Sequence, residues 1–214
     1  MSRPLIISDC DEVLMHMVAP FRVWLDELHG IHFDFTIGFE RALRHKDSGD
    51  PVERARIWTL LHAFFVTEMH RQTPIAGAVE AMARLSQRAD IIIVTNIAEE
   101  LGEARAAQIH AHGLPYPVIG NGRGKGKGPT VARLIAERKP PITFFLDDLA
   151  TNISSVAHDA PQVWRLQMVG EPEMAPHVEI AREAHARIDD WASAEAWIAS
   201  RIDEYDEVLA ASHA

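Results

Sequence analysis

Side chains that can take part in catalysis or bind ligands follow three apolar runs of this 214-residue sequence. Carboxylates at such positions could transfer protons or bind a metal ion, and a hydroxyl beside an amide could bind a phosphate oxygen. If each run is a strand of one parallel sheet, these side chains meet at the same edge. The three groups are Asp9 and Asp11 after Leu5–Ser8, Thr95 and Asn96 after Ile91–Val94, and Asp147 and Asp148 after Ile142–Leu146.

The two acidic pairs allow both a chemical and a structural interpretation. Asp147 and Asp148 are adjacent and repel each other, and a divalent cation is the usual compensation. Because they offer only oxygen ligands, they suit Mg²⁺. The same pair could instead begin a helix, where acids interact favourably with the helix dipole. Asp9 and Asp11 could likewise form no more than a polar turn.

Two segments are candidates for phosphate binding. Thr95 and Asn96 could hold a phosphate oxygen with the help of backbone N–H groups, or could cap a helix. The glycine-rich loop Gly120–Gly128 carries Lys125 and Lys127 and leads into a predicted helix. Its spacing fits neither the P-loop nor the dinucleotide-binding fingerprint. The loop is therefore either a mobile solvent loop or a means of holding a lysine near a helix N-terminus.

Composition and charge restrict the class of protein. Apolar residues make up 47% of the chain and charged residues 24%, which is typical of a globular domain and excludes a disordered chain. The net charge of −10 does not favour nucleic acid or anionic membranes. No apolar run approaches the roughly 18 residues of a membrane span, and the first run is too short for a signal peptide. We therefore expect a cytoplasmic protein, and the single cysteine, Cys10, excludes an internal disulfide.

Strand and helix patterns alternate along most of the chain. Besides the three runs above, weaker strands are predicted at Pro117–Ile119 and Gln162–Leu166, and helices at Ala76–Arg88, Glu99–His112 and Thr130–Arg138. This alternation predicts an α/β fold in which a parallel sheet carries helices on both faces. The active site of such a sheet lies beyond the carboxyl ends of its strands.

The stretch from residue 17 to residue 73 interrupts the alternation, because helix signals dominate there and no convincing strand pair occurs. We predict a small helical insert between the first strand and the rest of the sheet. Its helix signals are Pro20 as an opening residue, Gly30 as a terminator, Thr36 as a cap, and Asp50–Glu53 as a helix start. Two closing helices are predicted at Glu173–Arg187 and Ser193–Leu209.

Taken in order, the motifs resemble those of the haloacid dehalogenase superfamily of phosphohydrolases. The order is a strand with Asp9 and Asp11, a strand with Thr95, a lysine before a helix, and a strand with an acidic pair. The resemblance covers about residues 5–14 and 74–164. It implies a Rossmann-like core of residues 1–16 and 74–214, with residues 17–73 as a small α-helical cap of the family's first class. We call residues 17–73 the cap.

The resemblance implies a mechanism. Asp9 would be the nucleophile that forms an aspartyl-phosphate, and Asp11 the general acid and then the general base. Mg²⁺ would bind the Asp9 carboxylate, the Asp11 carbonyl and Asp148. Asp147 would be a further ligand, directly or through water, and Asn152 an orienting residue. Because dehalogenases of this superfamily lack the second acid, Asp11 favours phosphate esters.

Phosphate oxygens would be held by Thr95, Asn96 and a lysine, for which Lys127 fits the family better than Lys125. Glu12 stands where family members usually carry glycine, and it could narrow the pocket or reach a substrate. Cap bases could hold a second anionic group of the substrate, or could form a solvated helix face. They are Arg22, Arg41, Arg44, His45, Lys46 and Arg71.

Other functions remain open at this point. A phosphoglucomutase-like phosphotransferase needs the same core residues, and a non-catalytic protein could keep the fold to bind a phosphate ligand. A bacterial receiver domain uses a similar set of groups, but its adjacent acids come first in the chain. The expected partner is a small phosphorylated substrate, with no nucleic acid and no membrane, and the expected assembly is a monomer or homodimer.

Overall fold

The computed structural model describes residues 2–37 and 42–212. Its strands, in chain order, are β1 (Leu5–Ser8), β2 (Ile31–Phe33), β3 (Leu43–His45), β4 (Asp90–Thr95), β5 (Val118–Gly120), β6 (Thr143–Asp147), β7 (Trp164–Gln167) and β8 (Ala186–Arg187). Its α-helices are α1 (Val18–His29), α2 (Arg54–Thr67), α3 (Ala78–Leu85), α4 (Gly102–Ala111), α5 (Gly128–Arg138), α6 (Ala150–Asp159) and α7 (Trp191–Ser212).

A six-stranded parallel sheet with the order β5-β4-β1-β6-β7-β8 organises the core. Strand β1 is buried along its whole length and pairs on both sides, with Ile7 opposite Ile92 of β4 and Phe145 of β6. Because both faces of such a strand are covered, its sequence is a continuous apolar run. The five strands predicted for this sheet are confirmed, and β1, β4 and β6 all end at the same edge.

Helices cover both faces of the sheet, as predicted. Side chains alternate along a strand, so Ile6 and Ile7 belong to different apolar clusters. Ile6 packs in the cluster that contains Met82 of α3 and Ile198 of α7. Ile7 packs in the cluster that contains residues of α5 and α6, among them Val131. The sheet is therefore held rigidly on both sides, which fixes the positions of its strand ends.

The cap has an apolar cluster of its own, with Phe21 and Trp24 of α1 against Phe64 of α2. The prediction that it lacks a strand pair is wrong, because β2 and β3 form a two-stranded antiparallel sheet. In β2, Ile31 and Phe33 are buried and the residue between them is exposed. Alternation over three residues is too short a signal to distinguish a strand in a sequence.

Of two helix starts predicted in the cap, one is wrong and the other falls partly outside the described residues. Thr36 lies in a short 3₁₀ turn, Phe35–Ile37, where its N–H and hydroxyl both donate to Asp34 Oδ1, and residues 38–41, which would continue a helix, are outside the described structure. Helix α2 begins at Arg54 rather than within Asp50–Glu53. The segment before it continues the small sheet instead, since Val52 N–H donates to the Leu43 carbonyl oxygen over 2.9 Å.

The closing helix predicted at Glu173–Arg187 does not form. The segment contains a short 3₁₀ turn, Ala175–His177, and strand β8. Gln167 of β7 satisfies its irregular backbone, because its side chain accepts from Ala181 N–H and donates to the Glu179 carbonyl oxygen. Tertiary hydrogen bonds therefore replace those that a helix would make. The second closing helix is confirmed as α7.

The chain enters and leaves the cap through two adjacent segments. His16 N–H donates to the Thr73 carbonyl oxygen over 2.9 Å, and Met15 and Pro74 form an isolated bridge. These crossings lie next to the predicted cap boundaries, and the division into two domains stays a prediction. Among the described helices, none combines the length and apolar character that a membrane crossing requires. A cytoplasmic location also stays a prediction.

Candidate active site

Asp9 lies directly after β1 and faces a buried lysine. Lys127 Nζ lies 2.8 Å from Asp9 Oδ1 and 2.7 Å from Asp147 Oδ2. Cys10 N–H also donates to Asp9 Oδ1, over 2.6 Å. The Lys127 side chain has no solvent exposure. The ammonium therefore bridges the carboxylates that follow β1 and end β6.

Asp9, Asp147 and Asp148 form an acidic cluster in which one carboxylate oxygen of each residue lies within 4.8 Å of the others. Burial raises the pKa of Asp9 to about 7, although Lys127 opposes this effect. Burial and the charges of Asp147 and Asp9 raise the pKa of Asp148 well above its usual range. Burial disfavours the Lys127 ammonium, but Asp147 and Asp9 outweigh it and raise its pKa.

The positive charge of one lysine therefore does not balance the negative charges of three buried carboxylates. A divalent cation bound to oxygen ligands would supply the missing positive charge. The donor set of the cluster fits such an ion, so the cluster is a candidate metal site.

Asp147 is tied to the start of α6 as well as to Lys127. Its Oδ1 accepts hydrogen bonds from Leu149 N–H at 3.0 Å and from Asn152 Nδ2 at 2.9 Å. Asn152 also donates to Asp147 Oδ2 over 3.1 Å. These contacts hold Asp147 in place and leave Asp148, which lines the cavity described below, as the more open of the two acids.

Thr95 ends β4 with its side chain fully buried, and its hydroxyl oxygen has no hydrogen-bond partner in the described structure. An unsatisfied buried hydroxyl is costly and calls for an explanation. The neighbouring Asn96 lines the cavity, but its side-chain amide donates to the Lys125 carbonyl oxygen over 3.1 Å. Asn121 reinforces this contact by donating to Asn96 Oδ1 over 2.9 Å. The side chain of Asn96 thus anchors the glycine-rich loop.

Glycines on both sides of Lys127 let the loop approach α6. A Cβ at Gly126 would lie 2.9 Å from Ser155 Cβ, and a Cβ at Gly128 would lie 2.7 Å from the Ser155 carbonyl carbon. Both distances are too short for real atoms. This close approach buries Lys127 beneath Asp9, whereas Lys125 is exposed and lies 3.7 Å from Glu99.

Asp11 does not point at Lys127 but pairs with a buried arginine. Arg105 of α4 donates from Nη2 to both oxygens of Asp11, over 3.0 and 3.2 Å. Gln72 donates to Asp11 Oδ1 over 2.7 Å. Burial disfavours the Arg105 guanidinium, but the negative charge of Asp11 outweighs it and raises the pKa of Arg105. The sequence pattern does not identify Arg105 or Gln72 as site residues, because neither lies at a strand end.

No protein-family model matches the chain, and no curated protein matches its sequence. Similar solved structures include a HAD-hydrolase from Bacillus subtilis bound to magnesium, at 14% identity and a TM-score of 0.60, over 90% of this chain and 97% of that one.

A predicted phosphoglycolate phosphatase from Haemophilus somnus is similar at 14% identity and a TM-score of 0.58, over 88% of this chain and 94% of that one. A 2-haloacid dehalogenase from Pseudomonas syringae is similar at 12% identity and a TM-score of 0.54, over 92% of this chain and 99% of that one. The chain has the haloacid dehalogenase-like fold.

Glu12 takes an unusual backbone conformation within this haloacid dehalogenase-like fold. Its φ angle of 59° lies in the left-handed region, which explains why glycine is common there. Its Oε1 accepts from the N–H groups of Met17 and Val18 at the start of α1, over 2.7 and 2.6 Å. Burial raises the pKa of Glu12 to about 7, although these two hydrogen bonds act to lower it. Glu12 lines the cavity and also caps the first cap helix.

Five of the six cap bases predicted as candidates lie among the described residues, and none of these five lines the cavity. Arg22 pairs with Glu173 over 2.9 Å, and Arg71 pairs with Glu27 and Glu68. Three others lie on the exposed side of the cap: Arg44 donates to the Gly49 carbonyl oxygen, Lys46 pairs with Asp26, and His45 is exposed in β3. Arg41 lies outside the described residues.

A cavity of about 650 Å³ separates the cap from the core. Asp9, Asp11 and Asp148 lie on its wall, together with Asn96 and Lys125 from the loops at the sheet edge. Thr95, Lys127 and Asp147 are buried behind this wall rather than exposed in it. The volume is that of a small-molecule site, and the haloacid dehalogenase-like fold presents Asp9 and Asp148 of its acidic cluster to this cavity.

Proposed function

We propose that the protein is a metal-dependent phosphomonoester hydrolase that works through a phosphoryl group bound covalently to Asp9. The observation that carries this proposal is the Asp9 carboxylate, 2.8 Å from a buried lysine and within the acidic cluster, on the wall of the cavity. Both contacts of Asp9 fall on Oδ1, which leaves Oδ2 for the attack on phosphorus. The substrate is a small phosphorylated molecule rather than nucleic acid or lipid.

In the first step an oxygen of Asp9 attacks phosphorus, and the bond from phosphorus to the ester oxygen breaks. The leaving oxygen takes a proton from Asp11 and departs as an alcohol. In the second step Asp11 accepts a proton from water, and the water oxygen attacks the same phosphorus. The bond from phosphorus to Asp9 then breaks and releases inorganic phosphate, so that the enzyme returns to its starting state.

The surrounding residues stabilise the phosphoryl group. Lys127 neutralises part of its negative charge, and the unpartnered hydroxyl of Thr95 donates to one of its oxygens. Mg²⁺, held by Asp9, Asp148 and the carbonyl of Asp11, would neutralise further charge on the transferring group. Asp147 orients Lys127, and Asn152 orients Asp147. Arg105 and Gln72 hold Asp11 beside the cavity before a substrate is bound, and Asp11 leaves Arg105 and takes up a proton before the first step.

The second acid distinguishes this proposal from dehalogenation. A halide leaving group needs no proton, whereas an alkoxide does, so a general acid such as Asp11 serves ester hydrolysis. The structure gives Asp11 two dedicated partners, Arg105 and Gln72, at the cavity wall. A carboxylate held by specific partners at a cavity wall is better explained by a catalytic role than by a polar turn.

The test is the release of phosphate from p-nitrophenyl phosphate, with Mg²⁺ and with a chelator. We expect activity that requires the metal and falls at least roughly 10³-fold in Asp9→Asn, which keeps the shape of the side chain but loses the nucleophile. Asp206→Asn, an exposed position of α7, is the matched control and should retain full activity. Wild-type activity in Asp9→Asn would refute the proposal.

A second assay separates hydrolysis from phosphoryl transfer between sugar positions. The isomerisation of a sugar phosphate without release of inorganic phosphate would replace the hydrolase by a mutase. Binding of inorganic phosphate without turnover of any ester would replace it by a phosphate-binding protein.

A further inference from the structure

The cap presents an apolar wall to the cavity above Asp9. Phe33 and Phe35 contribute from β2 and the turn after it, and Trp58, Leu61 and Phe65 contribute from one side of α2. Trp58 remains 42% exposed, although an indole ring normally prefers burial. A ligand that covers this wall would therefore remove apolar surface from water.

The core side of the cavity continues this apolar surface next to the acidic cluster. Ile97 and Leu101 line it after β4, and Met174 lines it from the segment after β7. Leu149, directly after the acidic pair, is 49% exposed. The organic part of a phosphate ester anchored at Asp9 would thus have apolar neighbours on both sides.

Polar groups that could recognise a sugar or a second anion are scarce on the cap side. His62 is the one polar side chain that the described part of the cap, residues 17–37 and 42–73, contributes to the cavity wall besides the indole of Trp58. Arg71 is engaged in ion pairs with Glu27 and Glu68, and Arg22 pairs with Glu173 and lies 4.4 Å from the centroid of the Phe35 ring; neither arginine lines the cavity. The bases that line the cavity from outside the cap are Arg123 and Lys125 of the exposed glycine-rich loop and His177 of the turn Ala175–His177.

The distribution of apolar and polar side chains on the cavity wall decides which leaving group the site favours. Each hydroxyl of a sugar placed against the apolar wall would lose hydrogen bonds to water without gaining a partner. Each methylene placed there gains about fourfold in affinity from its removal from water. Aromatic groups gain further, because Phe33, Phe35, Trp58 and Phe65 can pack ring against ring.

We propose that the site selects phosphate monoesters of uncharged, apolar alcohols, with a preference for ring-containing groups, over sugar phosphates and over substrates with a second anionic group. This inference rests on the hydrolase activity proposed above and adds the class of its substrate. Specificity comes from the aromatic wall of the cap rather than from the arginines of the cap.

The experiment compares kcat/KM for esters that share a primary alcohol as leaving group, so that their intrinsic reactivity is matched. Ethyl, butyl, benzyl and 2-phenylethyl phosphate form the apolar series, and glycerol 1-phosphate, glucose 6-phosphate and phosphoglycolate form the polar series. We expect kcat/KM to rise about fourfold per methylene until the cavity is filled. Glucose 6-phosphate should be at least about 100-fold poorer than 2-phenylethyl phosphate.

A pair of variants on α2 tests whether the wall causes this preference. Leu61→Gln places an amide on the cavity wall and should raise KM for 2-phenylethyl phosphate about tenfold, with ethyl phosphate nearly unaffected. Val66→Ser is the matched control, since Val66 lies on the same helix, is 55% exposed and does not line the cavity. It should leave both substrates unchanged.

The outcomes separate the substrate class from the hydrolase activity. Faster hydrolysis of the polar series, or equal rates throughout, would overturn the substrate class and leave the hydrolase intact. If no ester is hydrolysed, the hydrolase proposal fails, and calorimetry with methylphosphonate and 2-phenylethylphosphonate still tests the wall. Tighter binding of the larger phosphonate would support an apolar site, and equal binding would overturn it.

Discussion

Removing the charge of Lys127 should strongly destabilise the folded protein. Lys127→Met keeps most of the side-chain volume but leaves Asp9 and Asp147 without their buried partner. Carboxylate oxygens of Asp9, Asp147 and Asp148 lie within 4.8 Å of one another. At an effective dielectric constant of about 20, two unit charges at that distance repel by about 3 kcal/mol.

The expected loss in the free energy of unfolding is therefore about 3–5 kcal/mol at pH 7 without metal, as for other buried ion pairs that lose one partner. The loss should depend on pH in a defined direction. Lys127 lowers the pKa of Asp9, so its removal raises that pKa further above the unfolded value. The folded variant then holds protons that the unfolded chain releases, and its stability continues to fall as pH rises past about 7.

The assay is denaturant unfolding of wild type and variant between pH 5 and pH 8, with and without Mg²⁺. The difference between the two proteins should be smallest at pH 5, where protonation relieves the repulsion, and Mg²⁺ should reduce it at pH 8. Lys125→Met is the matched control, and its exposed side chain should change stability by less than about 0.5 kcal/mol. A stable Lys127→Met protein, or an equal loss in the control, would refute the assignment of Lys127 as the buried cation of the site.

Three further perturbations have expected outcomes. Glu12→Gln keeps an oxygen for the N–H groups at the start of α1 but removes an acid whose pKa is raised from 4.5 to about 7. Wild-type stability should therefore fall between these pH values, and the variant should be about 3 kcal/mol more stable than wild type at pH 8 but not at pH 4. Gly128→Ala forces a Cβ against the backbone of Ser155 and should cost at least about 2 kcal/mol, whereas Gly102→Ala, with open space around it, should be neutral or stabilising. Thr95→Val removes a buried hydroxyl without a partner, so it should leave Tm unchanged or raise it while weakening inhibition by inorganic phosphate about tenfold.

Each of these outcomes has a counterpart that would contradict it. Parallel stability–pH curves for wild type and Glu12→Gln would show that Glu12 titrates normally in the folded protein. Tolerance of alanine at Gly128 would show that the loop and α6 are not in close contact. A lower Tm with unchanged phosphate inhibition in Thr95→Val would mean that the hydroxyl serves the fold rather than the ligand.

The strand ends were predictable because burial on both faces makes each central strand a continuous apolar run. Leu5–Ser8 and Ile91–Val94 are such runs, so the sequence alone assigns the residues after them to one edge of the sheet. The placement of Lys127 rather than Lys125 in the core depends on the approach of the loop to α6. The resemblance to the haloacid dehalogenase superfamily favours that lysine, but only the packing of Gly126 and Gly128 against Ser155 explains its burial.

Arg105 shows what local sequence cannot convey. It lies in an alanine-rich helix, where an arginine is usually solvated, yet its side chain is fully buried against Asp11. Its partner is 94 positions away in the chain, so no local pattern contains the contact. The same reason applies to Gln72, which reaches Asp11 from the end of the cap.

The helix predicted at residues 173–187 is wrong for a different physical reason. Its composition is compatible with a helix, but its backbone is bound by Gln167 and Arg187 through contacts to carbonyl groups and one N–H group. These tertiary hydrogen bonds outweigh a weak helix propensity. The cap strands β2 and β3 could not be predicted, because an alternation of buried and exposed residues over three positions is too short to distinguish a strand.

The central claim is that Asp9 carries the phosphoryl group, and trapping that group tests it most directly. Asp11→Asn should slow the second step, while p-nitrophenyl phosphate needs no proton to release its leaving group. Acid quenching followed by mass spectrometry should then find the mass of one phosphoryl group on the peptide that contains Asp9, and none in the double variant with Asp9→Asn. A phosphoryl group on another residue would contradict the account, and so would product release with no trapped intermediate.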